Sequence, residues 1–243
     1  MAYDIRVDLH IHSALSPCGD EFMTPGNIVG IAVVNGLDAL AITDHNSSYN
    51  VPAALEIAKE YGIILVPGME LETAEEIHIV CLFPDYEQLQ GFQKVVCDSY
   101  SPRDNVIDIF GNQRIYNKDD EIIGEWKPLL LESTGISIDD VFSLAEQYGG
   151  IAYPAHVDRD AYSVLSSFGM LPYDYPHRFV EISCQCDPAQ LTEQFPELKD
   201  YKFLRASDAH YYENIQEEGA LLRVEEKSPA GIIDALKNGS LIG

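Results

Sequence analysis

The stretch Ile5-Arg6-Val7-Asp8-Leu9-His10-Ile11-His12-Ser13 reads as a buried strand ending in two histidines. Residues two apart on an extended strand face the same side. His10 and His12 can therefore grip one ion between them, imidazole being the commonest side chain used for such a task. A lone His-x-His arises by chance often enough to decide nothing. Its weight comes from the His, Asp and Glu residues that recur at later strand ends.

Residues 13–24 are rich in Ser, Pro and Gly and form a loop. Thr24 and Pro25 make an N-cap and first-turn pair for a helix running to about Asn35, with Gly36 just past its end. Residues 38–43 read as a second strand, leading into Asp44-His45-Asn46, and residues 51–61 as a helix closed by Gly62. The apolar run 63–66 suits a buried parallel strand, and Pro67-Gly68-Met69-Glu70-Leu71-Glu72 comes directly after it. Residues 77–83, with His78 near the start, form a fourth strand. Strands five, six and seven are expected at 151–156, 179–184 and 201–206, and a helix at 229–238 closes the chain. The alternation of strand and helix argues an α/β fold with helices outside a parallel sheet. Between about residues 98 and 132 the pattern breaks, and two short β-like runs, 113–116 and 121–124, predict an inserted hairpin or cap. The remaining pattern is that of one domain over residues 1–243.

Seven strands approach the eight of the common (β/α)8 barrel, where chemistry sits at the C-terminal strand ends. Those ends carry His10 and His12, His45, Glu70, His156, and Asp208 with His210. Six of the seven histidines fall there or in strand four, and only His177 stands apart. His78 fits least well, because it comes early in its strand, where a core histidine is an equal expectation. Asp44 could orient a ligand histidine and Asp8 could do the same or stabilise the strand end, whereas Glu72 and Glu181 are candidate cavity carboxylates for which a solvated rim is the default expectation.

Composition sets outer limits. Fifteen Lys and Arg against 40 Asp and Glu give a net charge of −25. Such a surface repels phosphate backbones, so a long duplex clamped on a basic groove is not expected, while a small anionic substrate stays open because a few metal ions can reverse the local field. An odd number of cysteines without zinc-finger spacing, a start that lacks an apolar leader, and the lack of any run long enough to span a bilayer predict a reduced, cytoplasmic protein away from membranes.

Five segments together, Asp8-Leu-His-Ile-His-Ser13, Thr43-Asp-His-Asn46, Pro67-Gly-Met-Glu70, Pro154-Ala-His156 and Ser207-Asp-Ala-His210, resemble the motifs of the PHP (polymerase and histidinol phosphatase) superfamily of metal-dependent phosphoesterases. They occur in family order, and among its branches the chain looks most like the stand-alone bacterial enzymes. The resemblance implies a distorted (β/α)7 TIM-like barrel. It implies two or three divalent ions, with zinc, manganese or iron suiting mixed imidazole and carboxylate ligands. His10, His12, Glu70 and Asp208 would hold the first ion. Glu70 would bridge to a second, completed by His78 and His156, and His45 and His210 would take a third. Relatives complete that third site with an acid in the loop after the first motif. Here the usual spacing falls on Pro17, which leaves Asp20, or less favourably Cys18, as the candidate.

The implied activity is hydrolysis of a small phosphorylated molecule, a nucleotide phosphate among the candidates, by a metal-activated hydroxide. Glu70 and Asp208 would organise the ions, and Arg159, if it turns inward, would offer its planar fork to the phosphate, a surface arginine being an equal expectation. Two alternatives carry less of the pattern. An amidohydrolase acting on C–N bonds usually needs a ligand lysine, and no lysine stands at a strand end. A non-catalytic, metal-stabilised interaction module would have little reason to keep so full a ligand set.

Overall fold

The computed structural model describes residues 2–217 and 219–242. β1 (Tyr3–Ile11), β2 (Ala39–Ile42) and β3 (Ile64–Glu72) run parallel, joined by α1 (Pro25–Val34) and α2 (Val51–Tyr61). The expected punctuation holds. The Thr24 hydroxyl accepts from the Asn27 N–H at the start of α1, and Gly62, with φ +73°, closes α2 in the left-handed conformation that glycine adopts without strain.

β4 (His78–Leu82) departs from the expected parallel pattern. It pairs antiparallel with β3, with Glu72 opposite His78. Only residues 73–77 connect the two strands, enough for a hairpin but far short of the dozen or so residues of a parallel crossover. α3 (Tyr86–Ser99), α4 (Ile107–Phe110), the hairpin β5 (Arg114–Tyr116) and β6 (Ile122–Glu125), and α5 (Ile138–Gln147) precede β7 (Ile151–Pro154), which pairs antiparallel with β4. After α6 (Val164–Phe168) come β8 (Phe179–Ser183), α7 (Pro188–Gln194) and β9 (Lys202–Ala206), β8 and β9 forming a parallel pair.

β10 (Ala220–Val224), α8 (Pro229–Lys237) and β11 (Leu241–Ile242) end the chain. β10 lies antiparallel against the first half of β1, a strand the sequence pattern did not reveal. The main sheet thus runs β11-β10-β1-β2-β3-β4-β7. Two backbone bonds draw it into a curl with the β8–β9 pair: His12 N–H to Ala209 O at 2.9 Å and Val157 N–H to Glu181 O at 3.0 Å. The result is a mixed α/β half-barrel rather than seven repeated β/α units.

Alternation in β1 explains how this frame makes a site. Ile5, Val7, Leu9 and Ile11 enter the apolar core, while Asp8, His10 and His12 are buried on the opposite face. Burying polar groups costs free energy unless they find partners, and the strand ends supply them. The hairpin of residues 98–132 is tied to the same end. Asn50 donates to Arg114 O and accepts from Tyr116 N–H, Asn46 donates to Leu130 O and Glu132 O, and Asp120 accepts from the Thr24 hydroxyl and Gly26 N–H at the start of α1. His177 is half-buried between Tyr175 and Phe179, away from the other six histidines. Burial, helped by Lys237, pushes its pKa down to about 4, as for a packed neutral ring.

Candidate metal centre

Glu70, near the end of β3, is 1% exposed and sits among five histidines. Its Oε1 lies 3.3 Å from His10 Nε2, 3.0 Å from His78 Nδ1 and 3.2 Å from His156 Nε2. Its Oε2 lies 3.3 Å from His12 Nε2 and 2.9 Å from His45 Nδ1. Asp208 Oδ1 stands 3.3 Å from His10 Nε2, 3.0 Å from His12 Nε2 and 3.6 Å from His210 Nδ1. The six strand-end histidines therefore surround two carboxylates contributed by β3 and the end of β9. His78 reaches them because β4 is antiparallel: its first residue lies at the same rim as the last residues of β3. His156 and Asp208 turn inward through left-handed backbone, with φ of +28° and +48°. Such conformations are costly for residues other than glycine and gather at functional sites.

Beneath this layer lies a set of buried supports. Glu181 Oε1 holds His10 Nδ1 at 2.8 Å and accepts the His156 backbone N–H at 3.0 Å. It is 1% exposed, which corrects its expected place on a solvated rim, and Glu72 is buried as well. The signal for Glu181 lay in β8, where a lone acid between Val180 and Ile182 in an otherwise apolar strand has only the barrel interior to face. Asp44 orients His12 rather than its neighbour His45. It accepts from both Ser13 and Ser16, and Ser16 Oγ is 2.9 Å from His12 Nδ1. Asp8 accepts from the N–H groups of Ser207 and Gln216, pinning the end of β9 to β1. Burial raises its pKa to about 6.

Arg159 turns into the site, its Nη1 2.6 Å from Asp208 Oδ2. It lines a cavity of about 480 Å³ whose floor is the histidine cluster. Asp20 is not brought in. Its carboxylate accepts the Phe22 N–H at 2.9 Å and stabilises its own turn. The Cys18 thiol is the loop side chain against His45. Burial and the charge of His12 push the pKa of His45 down, but Cys18 and Glu70 push it up, and the net shift is upward.

Electrostatics and geometry together suit cations. Burial works against ionisation of Glu70, but His78, His10 and His45 hold its pKa well below the usual range. His12 and His78 are disfavoured as cations by burial, yet the neighbouring acids raise both to about 9. His210 is pushed down to about 3 by burial and by His12, leaving a neutral nitrogen donor. His10 Nε2 and His12 Nε2 face each other at 3.1 Å, while their Nδ1 atoms are engaged by Glu181 and Ser16. Glu70 Oε2, Asp208 Oδ1, His45 Nδ1 and His156 Nδ1 are buried without a hydrogen bond of good geometry, although the first three have neighbours at about 3 Å. Close atoms that converge without bonding one another form the arrangement expected of ligands around a shared centre. Among the described residues, three groups could hold a metal ion: His12, His45 and His210; His10, His12 and Asp208; and His45, Glu70 and His78.

The model of the PHP domain matches residues 8–162, more than half of the chain. A 5'-3' exoribonuclease Rnm of Salmonella typhimurium is 40% identical over 85 residues, which cover 33% of this chain and 28% of that protein. The lesion-specific endonuclease PfuEndoQ of Pyrococcus furiosus shares the fold with a TM-score of 0.69 at 18% identity, over 97% of this chain and 56% of that one. A structure of Endonuclease Q in complex with a 27-mer duplex substrate carrying an abasic lesion gives a TM-score of 0.68 at 18% identity, over 97% of this chain and 57% of that one. This chain thus spans only about a quarter to just over half the length of these proteins.

The names correct one expectation. The resemblance implied a small substrate and the net charge argued against a duplex, yet a relative is an exoribonuclease and the same fold holds a duplex in Endonuclease Q. Net charge averages over the whole surface, whereas substrate meets the local field of one rim. Among the described residues no helix is long and apolar enough to cross a membrane. With motifs, fold and buried cluster in agreement, the chain belongs to the PHP domain family.

Proposed function

We propose that this chain is a metal-dependent hydrolase of phosphoester bonds in nucleic-acid substrates, acting as one unit over residues 1–243 built on a distorted barrel. The observation that carries the reading is the ring of six histidines about Glu70 and Asp208 at the floor of an open cavity. Two or three ions would be held, with zinc, manganese or iron suiting the donor set. His10, His12, Glu70 and Asp208 would take one, Glu70 with His78 and His156 a second, and His45 with His210 a third beside Cys18. Asp20 would have to leave the Phe22 N–H to join. When bound, such ions lower the pKa of water and offset charge on phosphoryl oxygens.

The protein's own groups do the rest. Arg159 stands where its guanidinium can exchange Asp208 for a phosphate oxygen. Glu181 keeps the proton of His10 on Nδ1 and thereby aims Nε2 at the centre. The cavity lining contains no lysine, which disfavours the amidohydrolase alternative. Five unpaired cysteines support a reducing, cytoplasmic setting.

Two measurements test the reading. Metal-replete protein is expected to release nucleotides from single-stranded RNA or DNA, or to cut an abasic duplex, with loss of activity in EDTA. Metal-replete protein inert on every nucleic acid and nucleoside phosphate tried would end it. Glu181→Gln is expected to weaken metal binding by about 10–100-fold in a chelator competition, the usual cost of losing a partner behind a ligand histidine. Unchanged affinity would remove Glu181 from the role.

A further inference from the structure

Tyr162 has features that the reaction does not explain. Its ring lies parallel to that of His78, at 4.6 Å between centroids and 13° between planes. The residue is 49% exposed, so one face is covered by the imidazole and the other is open. Its backbone is left-handed, φ +54°, and its carbonyl accepts the His78 N–H at 2.9 Å. An aromatic side chain in that conformation is held there by its surroundings. Tyr162 also forms the wall between two cavities. One is the metal-centre cavity with Arg159, and the other, of about 430 Å³, contains Arg103 and Tyr100. Arg103 is ion-paired with Glu132, and its side chain is 72% exposed.

The basic side chains lining the two cavities are Arg159 and Arg103, set beside Asp158, Asp160, Glu72, Glu76 and Glu132, which is no basic groove along a phosphate backbone. Affinity for a strand must come from the bound ions, from a few well-placed arginines and from stacking, which works on every base because every base has a π-face.

We propose that Tyr162 is a base-stacking platform that seats the nucleotide next to the scissile phosphate, with the base on its open face and the following phosphate directed toward Arg103. This rests on the hydrolase reading for its substrate class. The platform itself is a statement about binding, and it is tested as binding.

The probe is a fluorescein-labelled single-stranded trinucleotide with phosphorothioate linkages, which slow cleavage, beside the same sugar–phosphate chain without bases. Each is titrated into manganese-loaded protein and monitored by anisotropy. Wild-type protein is expected to bind the base-bearing probe at least about 10-fold more tightly, within the range of one stacked base. Tyr162→Phe should keep that preference. Tyr162→Ala should abolish it while leaving metal content and abasic-probe affinity unchanged. Arg103→Ala, outside the lining of the metal-centre cavity, should weaken both probes alike and reduce the salt dependence. Equal wild-type affinity for the two probes overturns the proposal. So does a Tyr162→Ala protein that loses metal and both probes together, since the ring would then only support His78. Unaltered binding by Arg103→Ala removes the second contact. Cleavage of an ordinary oligonucleotide, measured in parallel, separates the two claims. Base-dependent binding without cleavage leaves the platform standing and ends the hydrolase reading; cleavage without base dependence does the reverse.

Discussion

Glu70→Gln is expected to empty the centre of metal and to lower turnover by more than about a hundredfold, beyond the 10–100-fold typical of losing a partner behind a ligand. Five histidine nitrogens lie within 2.9–3.3 Å of the two Glu70 oxygens. Gln keeps the shape but removes the charge and replaces one acceptor with a donor aimed at those nitrogens. The metal-free protein should also lose stability near neutral pH. The carboxyl is held well below its ordinary pKa in the folded state, so its contribution is fully present above the unfolded value of about 4.5 and is lost as pH falls through the folded value. Glu72→Gln is the matched control: Glu72 is buried nearby, but its carboxylate accepts the Ser133 hydroxyl at 3.0 Å and approaches one ring of the cluster, His78 Nε2, at 3.9 Å. Metal analysis and oligonucleotide cleavage on both variants read the contrast. A Glu70→Gln protein with full metal and full activity would sink the assignment of the centre.

The sequence disclosed the members of this centre more readily than the frame that holds them. Histidines at successive strand ends are visible because an α/β barrel sends its chemistry to one rim. Strand direction is not visible in periodicity, since a strand alternates identically whichever way it runs. His78 shows the consequence. At the start of a parallel strand it would lie at the wrong rim, whereas the five-residue link from Glu72 makes β4 the antiparallel arm of a hairpin and brings it to the site. β10 escaped notice because its partner, β1, lies some 200 residues away and its five residues are only partly buried. The hairpin of residues 113–125 was legible from its turn residues. Its docking was not, because Asn46 and Asn50 hold it through backbone groups that any sequence would present. Asp20 was chosen by residue type, but the loop spends that carboxylate on its own turn.

That same loop depends on Asp44, and Asp44→Ala is expected to destabilise the protein by about 3 kcal/mol, since hydrogen bonds to a charged group are worth about 1.5–3 kcal/mol and their buried donors lose it together. The carboxylate is 1% exposed. Oδ1 accepts the Ser13 N–H at 2.7 Å, the Ser16 N–H at 3.3 Å and the Ser16 hydroxyl at 2.7 Å, and Oδ2 accepts the Ser13 hydroxyl at 2.6 Å. Alanine leaves the buried Ser13 N–H and two hydroxyls without their acceptor, each a recognised source of lost stability, while the Ser16 N–H keeps Ser13 O at 3.0 Å. The effect reaches the metal centre through one proton. The Ser16 hydroxyl gives its hydrogen to Asp44, so its oxygen is free to accept from His12 Nδ1, 2.9 Å away, and from the His45 N–H at 3.2 Å. His12 is thereby fixed with a proton on Nδ1 and Nε2 turned toward Glu70 and Asp208. Without Asp44, the Ser16 hydroxyl can rotate and donate to His12 instead, favouring the tautomer with the proton on the wrong nitrogen. Asp44→Ala should therefore lower metal affinity as well as stability, whereas Ser16→Ala should lower affinity with a smaller loss of stability. Denaturant unfolding of the metal-free proteins and chelator competition separate the two effects. An Asp44→Ala protein within about 1 kcal/mol of wild type would show that the carboxylate does not hold the loop.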